Sequence, residues 1–155
     1  MLLNYLETMV TFAEVPDEIS LCINITGCPN HCEGCHSPHL AQPIGMPLTI
    51  QRLKRLIDEN PGITTVSFMG GDRSPFEIER LAKWVKTSCT HKNLKVAWYS
   101  GNEHIPPTLP LTYFDFIKVG PYIPQFGPLN SRTTNQRFYE VSNDKLYDVT
   151  YKFWK

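Results

Sequence analysis

The sequence has no charge imbalance: 15 Lys and Arg residues offset 15 Asp and Glu residues, for a formal net charge of zero. A nucleic-acid surface ordinarily needs a basic excess or stripe, so nucleic acid is not an expected partner. No apolar run approaches the roughly 18 residues that suggest a membrane span, so no membrane partner is expected either. The start, MLLNYLET, has neither the basic opening nor the apolar stretch of a secretory signal. Internal repeats and low-complexity tracts are also missing. These absences favour a reducing, cytoplasmic setting, where clustered cysteines bind metal or do redox chemistry more often than they form disulfides. What is present is an ordinary globular composition, 41% hydrophobic and 19% charged. A length of 155 residues suits one domain, 1–155, with its own core.

The most telling shortage is a fourth cysteine. Cys28, Cys32 and Cys35 lie in the run T26-G-C-P-N-H-C-E-G-C-H-S-P-H39, spaced C-x3-C-x2-C, and no further cysteine is close by. Four thiolates close a metal site; three leave one position open. A [4Fe-4S] cluster held by three cysteines has one iron free to bind another ligand. Zinc competes for the same loop, because His31, His36 or His39 can complete a Cys3His set. A second knuckle of the kind common in zinc modules is not present. An inert cysteine loop is the third reading. Cys22, in an apolar run, and Cys89, after a helical segment, read as packing residues rather than ligands.

Periodicity predicts strands over 19–25, 63–68, 94–99 and 115–119, with a weaker one at 8–13. Thr49 is placed to cap a helix over 50–60 that Asn60-Pro61-Gly62 ends. Ser74, Pro75 and Glu77 form a capping-box start for a second helix, with Ile78, Leu81, Ala82 and Val85 on one face. Two β-rich runs near 137–141 and 147–153 flank Asn143-Asp144, a hairpin signal. Strands alternating with helices imply parallel βαβ units, in which ligands bind at the C-terminal strand ends. Those ends carry the cysteine loop, G70-G-D72, Ser100-Gly101 and Gly120-Pro121. Asp72 is suited to pair with an ammonium group. The bland alternatives are a turn residue for Asp72 and strand-end punctuation for the glycines. Ser100 is a candidate partner for a ribose hydroxyl, and Lys118 for a nucleotide or carboxylate. His91 and His104 read as surface residues. Trp84, Trp98 and Trp154 read as packing. The expected architecture is an α/β fold: an incomplete, open (β/α) barrel with a mostly parallel sheet, too short for the eight-fold barrel that needs about 250 residues.

The pairing of C28-P-N-H-C-E-G-C35 after the first strand with G70-G-D72 after the second resembles the radical S-adenosylmethionine enzymes. Within them it is similar to the activases of anaerobic ribonucleoside-triphosphate reductase. I25-T-G-C-P-N-H-C-E-G-C-H36, D115-F-I-K-V-G-P-Y122 and S131-R-T-T-N-Q-R137 carry the narrower likeness, which spans roughly residues 14–140. The resemblance implies that Cys28, Cys32 and Cys35 ligate three irons of a [4Fe-4S] cluster. S-adenosyl-L-methionine would chelate the fourth iron, with Gly70, Gly71 and Asp72 fixing its methionine end and Gly34 and His36 near its nucleoside. A one-electron donor such as flavodoxin would supply the electron. Cleavage would then give methionine and a 5′-deoxyadenosyl radical, which takes a hydrogen atom from a glycine of the partner reductase. Such cofactor chemistry needs no acid–base pair or nucleophilic triad in the protein. Three positions depart from the pattern: Gly34 where an aromatic residue is frequent, Asp72 where Glu is common, and E14-V-P-D-E-I-S20 where many glycyl-radical activases have G-P-G-x-R. Two alternatives stay open, an activase of another glycyl-radical enzyme and a non-catalytic zinc-binding module.

Overall fold

The structure is a computed structural model and describes residues 2–27, 44–89 and 93–154. Its strands are β1 (Asn4–Thr11), β2 (Ser20–Ile25), β3 (Met46–Pro47), β4 (Thr65–Met69), β5 (Lys95–Tyr99), β6 (Phe116–Val119), β7 (Arg137–Ser142) and β8 (Lys145–Asp148). Two α-helices, α1 (Ile50–Asp58) and α2 (Pro75–Thr87), and a 3-10 turn at Thr150–Phe153 complete the described elements. All eight strands join one sheet in the order β3-β1-β2-β4-β5-β6-β7-β8.

This sheet corrects the expected barrel. Three neighbouring pairs, β2·β4, β4·β5 and β5·β6, are parallel. Four pairs, β1·β2, β1·β3, β6·β7 and β7·β8, are antiparallel. The fold is therefore a mixed open sheet with two helices, not a mostly parallel (β/α) barrel. The reason lies in the connections. Only α1 and α2 are crossover helices among the described residues. The link from β5 to β6 carries Pro106, Pro107 and Pro110, which remove the amide donors a helix interior requires. At the other flank, β7 returns antiparallel to β6 and turns tightly into β8. Asn143 and Asp144 take φ of 52° and 61° in that turn, the paired left-handed conformation of a two-residue hairpin.

One face of the sheet holds the main core. Leu21, Ile23, Val66, Phe68, Val96, Trp98 and Ile117 point to it and meet Leu53 and Leu56 of α1 and Ile78, Leu81 and Val85 of α2. Burying a side chain of this size contributes about 2–3 kcal/mol relative to exposure. Thr49 caps α1 as expected, accepting from the Arg52 amide at 3.0 Å. The capping box of α2 does not form. Ser74 makes no side-chain cap bond, and Glu77 instead receives a two-pronged contact from Arg80 at 2.8 and 2.7 Å. Pro75 still opens the helix at its first turn.

The helix-free face is covered differently. Val15, from the β1–β2 connection, packs with Ala97, Phe116, Phe138 and Val149. That connection folds back across the sheet, and the Tyr99 hydroxyl donates to the Glu14 carbonyl to hold it there. The central parallel strands are thus buried on both faces, which is why they read as continuous apolar runs rather than alternating ones.

Candidate functional site

The C-terminal ends of β2, β4, β5 and β6 lie side by side because these strands are parallel neighbours. β2 ends at Thr26-Gly27, where the cysteine loop begins. The Thr26 hydroxyl lies 2.6 Å from the Ile44 carbonyl and 3.3 Å from that of Asn4, sharing its one proton, while the Thr26 amide donates to Asn4 at 2.9 Å. Thr26 and Ile44, on either side of the loop, are therefore held together at this rim. Cys28, Cys32 and Cys35, with Gly34, His31, His36 and His39, fall outside the described residues, as does His91.

β4 ends in Gly70-Gly71-Asp72. Gly71 has φ of +92°, and a Cβ there would sit 2.5 Å from Ile78 Cδ1, so only glycine allows the turn to lie flat on α2. The turn aims Asp72 at the end of β5. Ser100 Oγ donates to Asp72 Oδ1 at 2.6 Å, and the Gly101 amide donates to Asp72 Oδ2 at 2.8 Å. Ser100 Oγ in turn accepts from the Asn102 amide at 3.0 Å. The backbone follows the same stitching: Gly70 N–H donates to Tyr99 at 2.9 Å, and Ser100 N–H to Lys118 at 2.8 Å. The buried indole N–H of Trp98 donates to the Gly70 carbonyl at 2.8 Å. That is a structural task beyond simple packing. Trp84 packs partly buried against the main core, and Arg132 lies over the Trp154 ring at 5.8 Å.

β6 supplies Lys118. Its ammonium donates to the Ser100 carbonyl at 3.2 Å and the Gly120 carbonyl at 2.8 Å, bridging two strand ends. Glu14 lies within electrostatic reach of it on the helix-free face. Burial raises the Glu14 carboxyl above its ordinary value, and the charge of Lys118 opposes that rise. Burial likewise pushes the Tyr99 phenol well up, with the charges of Glu14 and Cys22 adding to it. Cys22, on the same face, is raised to about 12, first by burial and then by Glu14, against a weaker opposing contact with Ser67. A thiol held protonated and buried is a packing group, as expected. Cys89 packs at the edge of the main core, and His104 is exposed.

The structure gives a physical role to the S131-R-T-T-N-Q-R137 run. Thr134 and Gln136 are buried. Gln136 Nε2 donates to the Gly120 carbonyl at 3.4 Å and Asn135 Nδ2 to the Pro121 carbonyl at 3.0 Å. The run braces the end of β6, and Asn135 Oδ1 is buried there with no hydrogen-bond partner among the described residues. Sequence reasoning did not find Glu14, Arg73, Asn135 or Gln136 as rim residues. Glu14 stands 85 residues from Tyr99, its partner, so no local spacing could mark it.

The structure thus brings Gly70, Gly71, Asp72, Ser100 and Lys118 together beside the two ends of the cysteine loop. Among the described residues, no group of three or more His, Cys, Asp or Glu side chains is arranged to hold a metal ion. Residues 19–106 match the 4Fe-4S single cluster domain family. The chain belongs to that family. No curated protein and no solved structure matches the chain. An iron–sulfur protein is the identity this match supports. The matched span holds Cys28, Cys32 and Cys35, and three thiolates are a suitable donor set for three irons of such a cluster. When bound, that cluster supplies one-electron transfer. Among the described residues, no helix is long and apolar enough to cross a membrane.

Proposed function

We propose that this iron–sulfur protein is an activase. It reductively cleaves S-adenosyl-L-methionine to methionine and a 5′-deoxyadenosyl radical, and so generates a glycyl radical on anaerobic ribonucleoside-triphosphate reductase. The observation that carries the reading is the convergence of Gly70-Gly71-Asp72, Ser100 and Lys118 on the rim where the three-cysteine loop enters and leaves.

The described residues have definable tasks in this reading. Gly70 and Gly71 let the chain turn tightly off β4 against α2, and that turn sets the position of Asp72. Asp72 is held by Ser100 and by the Gly101 amide, which fixes the carboxylate's direction before any ligand arrives. An ammonium group of the methionine end would meet this preset carboxylate and the neighbouring strand-end carbonyls. Lys118 keeps the ends of β5 and β6 in register and presents positive charge on the helix-free face. Flavodoxin, or a donor of similar potential, would deliver the electron.

The test is anaerobic reconstitution with iron and sulfide, followed by dithionite and S-adenosyl-L-methionine. Formation of 5′-deoxyadenosine is expected, and its absence from cluster-loaded protein refutes the reading. Mixing with the reductase should then produce the doublet of a glycyl radical in electron paramagnetic resonance. Cleavage without that doublet points to a different glycyl-radical enzyme as partner.

A further inference from the structure

The two margins of the sheet are protected to different degrees. β8 is a four-residue strand with Lys145 and Asp148 at its ends, and charge and brevity of this kind keep an edge from pairing. At the other margin β3 is two residues long and covers only Asn4 and Tyr5 of β1. No described strand pairs with the outer edge of β1 from Thr8 to Thr11. That stretch runs regularly along β2, since the register irregularity lies earlier, between Tyr5 and Glu7. From Asn4 to Ala13 there is no proline, lysine or arginine, and Glu7 is the single charged residue.

The side chains at this margin are apolar and open. Leu6, Met9, Val10 and Phe12 are 42%, 54%, 46% and 76% exposed, and Leu2, Ile44 and Met46 are exposed beside β3. Seven of the twelve large apolar side chains exposed among the described residues thus lie along one margin of the sheet. Together they offer on the order of 600 Å² of surface, close to the ~800 Å² that each partner buries in a stable dimer.

We propose that β1 pairs antiparallel with β1 of a second copy of this chain across a two-fold axis, joining two eight-stranded sheets into one. An axis perpendicular to the sheet keeps the helices of both copies on the same side. It also requires one residue of β1 to face its own copy, and Met9 lies at the middle of the apolar stretch. Thr8 of one copy then faces Val10 of the other, and Glu7 faces Thr11. Strands rise about 3.4 Å per residue, so the two Glu7 positions are about 14 Å apart along the strands, beyond the ~8 Å over which charges act in physiological salt. Glu7 is also engaged within its own chain, accepting from Asn24 Nδ2 at 3.4 Å. The same patch serves both copies, so the contact closes on itself. Both β1 edges are used, and the charged β8 strands become the margins of the joined sheet. The proposal draws on nothing in the cysteine loop and does not depend on the function proposed above.

The test is sedimentation velocity of the anaerobic, cluster-loaded protein with reductant, from about 1 to about 100 µM, a range that brackets micromolar association. Wild type should sediment as a dimer at the upper end. Met9→Lys and Met9→Glu each set like charges face to face at the axis and should raise the dimer dissociation constant roughly 100-fold. Mixed in equal amounts, the two variants set opposite charges face to face, and the dimer should return. Recovery on mixing also shows that both variants are folded, because misfolded chains cannot complement each other. A wild-type monomer at every concentration overturns the proposal and leaves this edge to a strand of a different protein. A dimer that persists in both variants overturns it and places the contact elsewhere. Monomeric variants that stay monomeric when mixed overturn the pairing across Met9.

Discussion

Each end of the parallel strands carries a carboxylate that gathers donors from neighbouring elements. At the N-terminal ends, Glu18 accepts from the Thr64 hydroxyl at 2.9 Å, the Thr65 hydroxyl at 2.8 Å and the Lys95 ammonium at 3.1 Å. At the C-terminal ends, Asp72 accepts from Ser100 and Gly101. The surroundings differ. Around Glu18 the charge is matched by Lys95, and the partners are side chains on ordinary strand backbone. Around Asp72 the backbone turns through Gly70 and Gly71 with positive φ, and the neighbouring Arg73 has no carboxylate partner among the described residues. The first rim balances its charge within itself; the second fixes a carboxylate on a glycine-bearing turn, which is what the proposed function uses. The contrast lies in backbone conformation and charge matching rather than in the count of polar groups at either end.

The comparison breaks most visibly at the cysteines. Replacing Cys28, Cys32 or Cys35 with Ser should abolish retention of iron and sulfide. The denaturation midpoint of the metal-free protein should stay where it was, because the Glu18 rim and the core do not depend on the loop. Gly71→Ala comes next. Its Cβ would meet Ile78 at 2.5 Å in a conformation disfavoured for alanine, so urea denaturation should show a loss of about 2–4 kcal/mol. Asp72→Asn should cost about 1–3 kcal/mol, since an amide cannot accept from both Ser100 and Gly101 as a carboxylate does. In the proposed function it should also weaken binding of S-adenosylmethionine, which Glu18 variants should not do.

Glu18→Gln tests the other rim and should cost about 1–2 kcal/mol near neutral pH without changing cluster content. Burial works against ionisation of Glu18, yet bonds from Thr65, Thr64 and Lys95 together hold its carboxyl below the ordinary 4.5. A depressed native pKa means the stabilisation is complete above 4.5 and is lost as pH falls through the lower, native value. Acid denaturation curves of wild type and Glu18→Gln should therefore converge below that value. Lys95→Ala should have the smallest effect, about 0.5 kcal/mol, because the ammonium is about half exposed and water screens the pair.

Much of the local structure was legible in the chain. Thr49 announced α1, Pro75 announced α2, and Asn143-Asp144 announced the hairpin, because each signal is chemistry between residues a few positions apart. The barrel expectation failed for the opposite reason. The alternation of strand and helix holds only through the middle of the chain, and nothing local in β1 or β7 fixes the direction in which it pairs. Ser74 and Glu77 have the right spacing for a capping box, but Arg80, one turn further on, captures the glutamate. At the site, G70-G-D72 was visible as a motif, whereas the partners of Asp72 were not.

By itself, the sequence determined the candidate donors, three cysteines spaced C-x3-C-x2-C, in a span that places the chain among 4Fe-4S single cluster domains. Those are covalent identities and short spacings, and folding does not alter them. Only the tertiary structure decided that Asp72 faces Ser100 and Gly101, that Glu14 lies beside Lys118, and that Arg73 rests on Gly27. Each of these pairs is separated by at least 28 residues, and its geometry depends on strand order and register, which the whole core sets together.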